Sequence, residues 1–312
     1  MADNTLQFDP NEELDAQVTP TPLSDPVLTA IFQNAEVSGL AMRSLINATL
    51  EDSGDKPISE VLSLTPQSIH SETSARGFRI DVEVRASDGE IALVEFQRKL
   101  FIRTIERTLL YAEQSLASGA KRGAALSEVT AAMPRVIAVN ILENAIRATG
   151  SFHQVVDMAY REPPYERATD RLEIHNLQLD RFMKELKNKT PINPLQFWLT
   201  ALCRAQDKKI SLREVVKMDA QLQTFYDHDP GFAQFVDRYG TVSSLPEVRK
   251  AYRRWEYDLM LDKLEEETKA ARHEARIAEE RAKWQGEVKN LRDEVADKDA
   301  EIARLREQLG KQ

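Results

Sequence analysis

The chain has 312 residues, a formal net charge of −9, 30% charged residues and a single cysteine. The lone Cys203 excludes an internal disulfide framework and is typical of a protein of the reducing cytoplasm, and no apolar run approaches the roughly 20 residues of a membrane-spanning helix. The acidic balance argues against binding DNA through bulk charge, although a local basic surface would still suffice. We therefore expect a cytoplasmic protein that makes no membrane contact.

The N-terminal quarter begins with a segment that cannot form a core. Residues 1–24 are acidic and then rich in Thr and Pro, which predicts a flexible leader. Asp25 followed by Pro26 is typical of a helix start. A second helix is predicted over about residues 40–50, and a short strand over 61–64.

A β-hairpin follows. Residues 78–84 (FRIDVEV) alternate between apolar and polar side chains, as a half-buried strand does. The sequence Ser-Asp-Gly at 87–89 is typical of a turn, and residues 91–97 (IALVEFQ) form the second predicted strand.

This hairpin contains the residues that point most directly to chemistry. Glu95, Gln97 and Lys99 share one face of the second strand, because successive strand side chains alternate. Asp81 lies on the neighbouring strand, where its carboxylate is expected close to that of Glu95. Two carboxylates together are a favoured site for Mg²⁺, which adds waters and a substrate phosphate.

Several alternatives stay open at this stage. Asp81 and Glu95 have the pattern of ordinary exposed strand charges, which would contribute little to stability. Glu83 lies on the same strand face as Asp81 and is a rival ligand, and the register of the hairpin decides between them. Glu51 and Glu72 are further acidic candidates.

A helix is predicted over about residues 102–120. Arg103, Arg107 and Tyr111 recur in it every four residues, which places them on one helical face directly after the acidic strand. The two guanidinium groups suit phosphate contacts, and the phenol suits orientation of a phosphate. The alternative is that the arginines pair with Glu106 or Glu113.

Strands and then helices complete the central region. Residues 134–142 form an apolar run rich in β-branched residues, which predicts a buried strand. Two further strands, over 152–158 and 172–177, alternate as half-exposed strands do. From about residue 194 the pattern becomes helical.

The C-terminal segment predicts a coiled coil. From Ile277 onward a seam of residues repeats at alternating steps of four and three: Ile277, Arg281, Trp284, Val288, Leu291, Val295, Lys298, Ile302, Leu305 and Leu309. This heptad seam favours association of copies of the chain. The alternative is a solvated single helix.

Beyond these patterns, the run from Gly77 through Lys99 resembles the PD-(D/E)xK nucleases, and more closely their transposase-like branch, the recombination-promoting nuclease family. Residues 25–32, 175–182 and 193–199 are similar to further segments of that family, so the resemblance covers about residues 22–205. Asp81 and Glu95 match its metal ligands, and Gln97 matches its variant third position, where the wider superfamily has Lys. Lys99 lies on the same strand face and would supply the missing charge.

The resemblance implies an α/β fold: a restriction-endonuclease-like core with a mixed central sheet flanked by helices, then a helical region and a C-terminal coiled coil. We expect a leader at 1–24, the nuclease-like core at 25–190, the helical region at 191–257 and the coiled coil at 258–312. The implied function is that of a metal-dependent DNA endonuclease, using Mg²⁺ or Mn²⁺, in recombination or mobile-element biology. The competing hypothesis is a catalytically inactive nuclease fold that acts as a coiled-coil scaffold.

Overall fold

A computed structural model describes most of the chain, namely residues 19–33, 35–69, 78–97, 104–119, 123–144, 146, 150–186 and 190–309. The chain divides into two compact units, Met1–Trp255 and Glu256–Gln312. No helix in these described ranges is long and apolar enough to cross a membrane.

The first unit contains a mixed sheet. Its strands are β1 (Val61–Ile69), β2 (Phe78–Ala86), β3 (Ile91–Gln97), β4 (Val136–Leu142), β5 (His153–Asp157) and β6 (Leu172–Gln178). They lie in the order β1-β2-β3-β4-β6-β5. The pairs β3/β4 and β4/β6 are parallel, and the other neighbouring pairs are antiparallel. The predicted mixed central sheet is therefore confirmed.

Helices flank this sheet and follow it. They are α1 (Asp25–Ile31), α2 (Ala35–Ser53), α3 (Thr104–Ala117), α4 (Leu126–Ala131), α5 (Leu179–Leu186), α6 (Pro194–Lys208), α7 (Leu212–Lys217), α8 (Ala220–His228), α9 (Pro230–Val242) and α10 (Pro246–Leu309). Local sequence sets several of their ends. Asn193 caps α6 by accepting a hydrogen bond from the Gln196 amide, and Asp229 caps α9 through the Phe232 amide.

The larger core lies on one face of the sheet. Val94 and Phe96 of β3 and Val139 of β4 contribute to it, together with apolar residues of α1, α2 and α6–α9. At its centre the Trp198 ring lies 5.0 Å from Phe232 in an edge-on contact. The helices of the region predicted to begin at residue 191 therefore share a core with the sheet.

The end of the predicted leader also belongs to this core. Residues 1–18 lie outside the described residues, but Leu23 is buried among the core residues. The hydroxyl of Tyr239 in α9 donates a hydrogen bond to the Pro20 carbonyl oxygen, at 2.6 Å.

A smaller core on the opposite face of the sheet lies under α3. It combines Leu93 of β3, Ala138 of β4 and Ile174 of β6 with Tyr111 and Ala112. Because both faces are covered, every residue of β3, β4 and β6 is buried. The expectation of a half-exposed strand at 172–177 is therefore wrong: β6 lies between two strands and under both layers. β5 is an edge strand and is partly exposed, as predicted.

The second unit is the continuation of α10. Residues of the predicted seam are exposed along it, including Trp284 at 66% and Leu291 at 60%. In a coiled coil a second helix would cover these side chains. Their exposure along a single helix does not test that arrangement, so the coiled coil stays a prediction.

Candidate active site

Glu95 and Gln97 lie at the carboxyl end of β3, on the face covered by α3. The parallel register pairs Glu95 with Asn140 and Gln97 with Leu142 of β4. Each of the two residues is only 8% exposed. The alternative that Glu95 is an ordinary exposed strand charge is therefore wrong, because α3 covers this end of the strand.

The paired part of the hairpin ends one residue short of Asp81 and Glu95. Val82 pairs with Val94 and Glu83 pairs with Leu93. Continued by one residue, this register sets Asp81 opposite Glu95; the side chain of Asp81 is outside the described part of the structure. The rival Glu83 instead lies opposite an apolar residue.

Glu83 also has a partner of its own. Its Oε1 lies 2.8 Å from Nη2 of Arg85, two residues along the same strand. Glu51 is exposed near the end of α2, and Glu72 is outside the described residues. The hairpin thus favours Asp81 over the other acidic candidates as the neighbour of Glu95.

Arg107 of α3 lies against Glu95. Its Nη2 forms an ion pair with Oε1 of Glu95, and its Nε donates a hydrogen bond to the Tyr111 hydroxyl at 3.2 Å. Tyr111 is buried, with 4% of its surface exposed. The helical face predicted from the four-residue spacing therefore covers the acidic strand, and Arg107 pairs with Glu95 rather than with Glu106 or Glu113. Lys99 and Arg103 lie outside the described residues.

Gln97 has unused hydrogen-bonding capacity. Its Oε1 lies 3.4 Å from the Thr104 hydroxyl, which donates to it. Its buried Nε2 has no hydrogen-bond partner among the described residues. A buried amide nitrogen without an acceptor is costly, so a water or phosphate oxygen beside it would be stabilised.

Asn140 and Asn176 extend this polar region across the sheet, and sequence reasoning missed both. Asn140 Nδ2 donates to Asn176 Oδ1 at 2.9 Å and to the Thr108 hydroxyl at 3.2 Å. Glu95, Asn140 and Asn176 therefore occupy one register row of three parallel strands. A signal was present: Asn140 interrupts the otherwise apolar run VIAVNIL.

A small cavity with about 10 Å³ of room lies between α3 and the sheet, and Glu95, Gln97, Arg107 and Asn140 line part of it. That room is close to the minimum for one water molecule. It is too small for a nucleotide, so a substrate would have to bind outside the cavity.

The donor set at this site fits a divalent metal ion. Glu95 already forms an ion pair with one positive group, the guanidinium of Arg107. Its carboxylate and the Gln97 amide oxygen are hard donors of the type that Mg²⁺ and Mn²⁺ prefer. Asp81, at the adjoining position of β2, would complete the set.

Comparison with known proteins bears on the same segment. The sequence model of the PD-(D/E)XK nuclease family transposases matches residues 22–263, which include every residue of the site described above. No curated protein and no solved structure matches the chain.

Proposed function

Because the chain belongs to the PD-(D/E)XK nuclease family transposases, we propose that it is a metal-dependent DNA endonuclease whose metal ion is held by Asp81 and Glu95. The observation that carries this proposal is the position of Glu95, a buried carboxylate at the end of β3 that already pairs with a cation. The cation is Mg²⁺, and Mn²⁺, which also suits carboxylate and carbonyl ligands, is the substitute.

Each residue has a separate task in this proposal. When bound, the metal ion lowers the pKa of a water and neutralises charge on the scissile phosphate. Gln97 orients the attacking water through its amide. Lys99, two positions further along the chain, stabilises the negative charge that develops on the phosphate.

The face of α3 provides the DNA contact. Arg107 is held by the Tyr111 hydroxyl as well as by Glu95. Once a metal ion neutralises Glu95, the guanidinium is available to a backbone phosphate beside the site, and Tyr111 keeps it oriented. Arg103, one helical turn earlier in the sequence, extends the same contact.

The C-terminal seam brings two nuclease units together. Cutting both strands of a duplex requires two sites or two successive events at one site. We propose that copies of the chain associate through residues 277–309, since exposed apolar residues at heptad spacing are stabilised by a second helix. Paired cutting of this kind serves recombination or the movement of a mobile element.

One specific observation favours a second function, that of an inactive nuclease fold acting as a scaffold. Gln97 stands where the wider superfamily has Lys, so the site lacks one positive charge. In that reading the coiled coil carries the function and the site binds DNA without cutting it.

An assay on supercoiled plasmid separates the two functions. Purified full-length protein is incubated with Mg²⁺, with Mn²⁺ or with EDTA, beside the Gln97→Lys variant. Metal-dependent nicking by the unchanged protein supports the enzyme. If only Gln97→Lys cuts, or neither protein does, the scaffold function is the better description.

A further inference from the structure

An extended ion-pair network surrounds β6 on the face opposite Glu95. Ion pairs and close polar contacts connect five carboxylates, three basic side chains and two histidines. They are Asp52, Asp55, Glu90, Asp157 and Glu173; Lys56, Arg135 and Arg167; and His153 and His175. With neutral histidines, five negative and three positive charges leave this network with a net charge of −2. Its centre is buried, since Glu173 and His175 are both 0% exposed.

A relay of hydrogen bonds fixes the orientation of His175. Asp52 Oδ2 lies 2.6 Å from His153 Nδ1, and His153 Nε2 lies 3.0 Å from His175 Nδ1. Although burial alone would raise the pKa of Asp52, hydrogen bonds from His153 and Asn193 hold it below its usual value, so Asp52 is an ionised acceptor. A neutral His153 that donates from Nδ1 to Asp52 accepts at Nε2, and His175 then donates to it from its own Nδ1.

The other nitrogen of His175 is then a lone-pair donor pointing at a carboxylate. Its Nε2 lies 3.5 Å from Glu173 Oε2, too long for a hydrogen bond, and has no hydrogen-bond partner among the described residues. A carboxylate oxygen of Asp55 lies close by, and the three ligand atoms are all within 4.8 Å of one another. Two buried acceptors facing each other are unfavourable unless a positive charge lies between them.

We propose that His175, Glu173 and Asp55 bind one divalent transition-metal ion, with Zn²⁺ the best match. An imidazole nitrogen and carboxylate oxygens are ligand types that Zn²⁺ binds, and water would be the fourth ligand of a tetrahedral site. Two ligands about 2.1 Å from a tetrahedral ion lie about 3.4 Å apart, close to the spacing of Nε2 and Oε2. A divalent ion also balances the charge of the network.

The residues around the three proposed ligands would orient them for metal binding. Arg135 and Arg167 donate to Glu173 Oε1, and Arg135 also donates to Oε2 at 3.2 Å, so an ion would bind the remaining lone pair of Oε2, on the side of His175. A ligating histidine that donates its second nitrogen to an acceptor is the usual arrangement around protein-bound zinc. An open cleft of about 460 Å³, lined in part by Asp55, Arg167 and Glu173, gives an ion a route to the site.

Binding would join separate parts of the chain. Asp55 follows α2, whereas Glu173 and His175 belong to β6, so the ion would fasten the end of that helix to the sheet. The zinc site does not depend on Glu95 or on nuclease activity.

The test uses the full-length Glu95→Gln protein, in which the other proposed metal site is disabled. After EDTA treatment and dialysis, Zn²⁺ is added and the bound metal and the Tm are measured; Co²⁺ serves as a spectroscopic substitute. We expect one equivalent of Zn²⁺, a rise in Tm and Co²⁺ absorption bands typical of mixed nitrogen and oxygen ligation. Failure to bind any Zn²⁺ would overturn the site and leave the nuclease proposal untouched.

Matched variants locate the ion. Asp55→Asn should weaken Zn²⁺ binding at least about tenfold. Asp157→Asn makes the same charge change in the same network, where Asp157 contacts Arg167, and should leave affinity within about threefold. Equal effects of the two variants would show a response to charge alone and contradict the assignment. The ¹⁵N chemical shifts of His175 in the metal-free protein give a second test. If both ring nitrogens were protonated at neutral pH, a proton would lie between His175 and Glu173 in place of the ion, and the metal site would be wrong.

Discussion

Arg107 and Glu95 form an ion pair that joins α3 to β3 at the candidate active site. The two side chains are 24% and 11% exposed, so the pair is only partly screened by solvent. Tyr111 accepts a hydrogen bond from Nε of the same guanidinium. The positive charge beside Glu95 is therefore positioned from two sides, and an incoming metal ion competes with it for the same carboxylate.

Removing this competition should change the metal requirement. In Arg107→Gln, a divalent ion no longer competes with the Arg107 guanidinium for Glu95, so we expect half-maximal cleavage at a lower Mg²⁺ concentration. The same variant should bind DNA more weakly, with the slope of log affinity against log salt reduced by about one. Mg²⁺ titrations of plasmid nicking and salt-dependent binding measure the two effects.

Arg85→Gln is the control for that variant, because Arg85 pairs with Glu83 and not with Glu95. Its Mg²⁺ midpoint should match that of the unchanged protein. An Arg107→Gln midpoint that is unchanged or higher would show that the ion pair does not compete with metal binding.

Two glycines of α9 should respond in opposite ways to alanine. A Cβ at Gly231 would lie 2.3 Å from the Leu40 carbonyl oxygen and 2.4 Å from the Ser44 Cβ of α2, whereas a Cβ at Gly240 meets nothing within 4 Å. Gly231→Ala should lower the free energy of unfolding by about 1–3 kcal/mol or more. Gly240→Ala should raise it by about 0.5–1 kcal/mol. Urea unfolding of both variants tests this, and equal values would contradict the close packing of α2 and α9.

Much of the sheet could be predicted from the sequence because its strands have local signals. The alternation in β2, the turn before β3 and the apolar run of β4 depend only on neighbouring residues. The burial of β6 was harder to predict, because its polar residues alternate as in a half-exposed strand although they are buried. Their partners, such as Arg135 and His153, lie far away in sequence, so the pattern alone cannot show that Glu173 and His175 are paired inside the protein.

The residues of the candidate site could also be predicted only in part. The hairpin pattern suggested Asp81 and Glu95, but the choice between Asp81 and Glu83 depended on the register of the two strands. Alternation cannot distinguish two registers that differ by two residues, because both place the same side chains on the same face. The pairing of Arg107 with Glu95 also follows from how α3 packs on the sheet, which the four-residue spacing does not reveal.

Cys203 should be unreactive in the folded protein. Burial, with a smaller contribution from the nearby Asp207 charge, raises the pKa of its thiol to about 12. The thiolate is the reactive form, and at pH 8 it would be roughly one part in ten thousand of the total, against about a quarter for an unfolded thiol with a pKa of about 8.5. Alkylation at pH 8 should therefore be slow in buffer and fast in urea. Because the native pKa is raised, this group's contribution to stability is complete below about pH 8.5 and declines as the pH rises toward 12. Rapid alkylation without denaturant would contradict the burial of Cys203.

The seam of α10 should decide the oligomeric state. Leu291→Asp combined with Ile302→Asp places two charges in the seam and should convert an associated protein into a monomer. Asn290→Asp combined with Ala303→Asp adds the same charge off the seam and should leave association intact. Sedimentation at micromolar concentration measures both. An unmodified protein that sediments as a monomer would rule out self-association through this helix.

The most direct test of the proposed active site compares the two carboxylates of β2 that alternation alone could not separate. Nicking of supercoiled plasmid in Mg²⁺ is measured for Asp81→Asn and Glu83→Gln, with Glu95→Gln alongside. We predict that Asp81→Asn and Glu95→Gln each lose activity by about 100-fold or more, because the metal ion loses a ligand. Glu83→Gln should stay within about threefold of the unchanged protein, since Glu83 pairs with Leu93 and contacts Arg85. Full activity in Asp81→Asn, or its loss in Glu83→Gln alone, would contradict the assignment of the metal site.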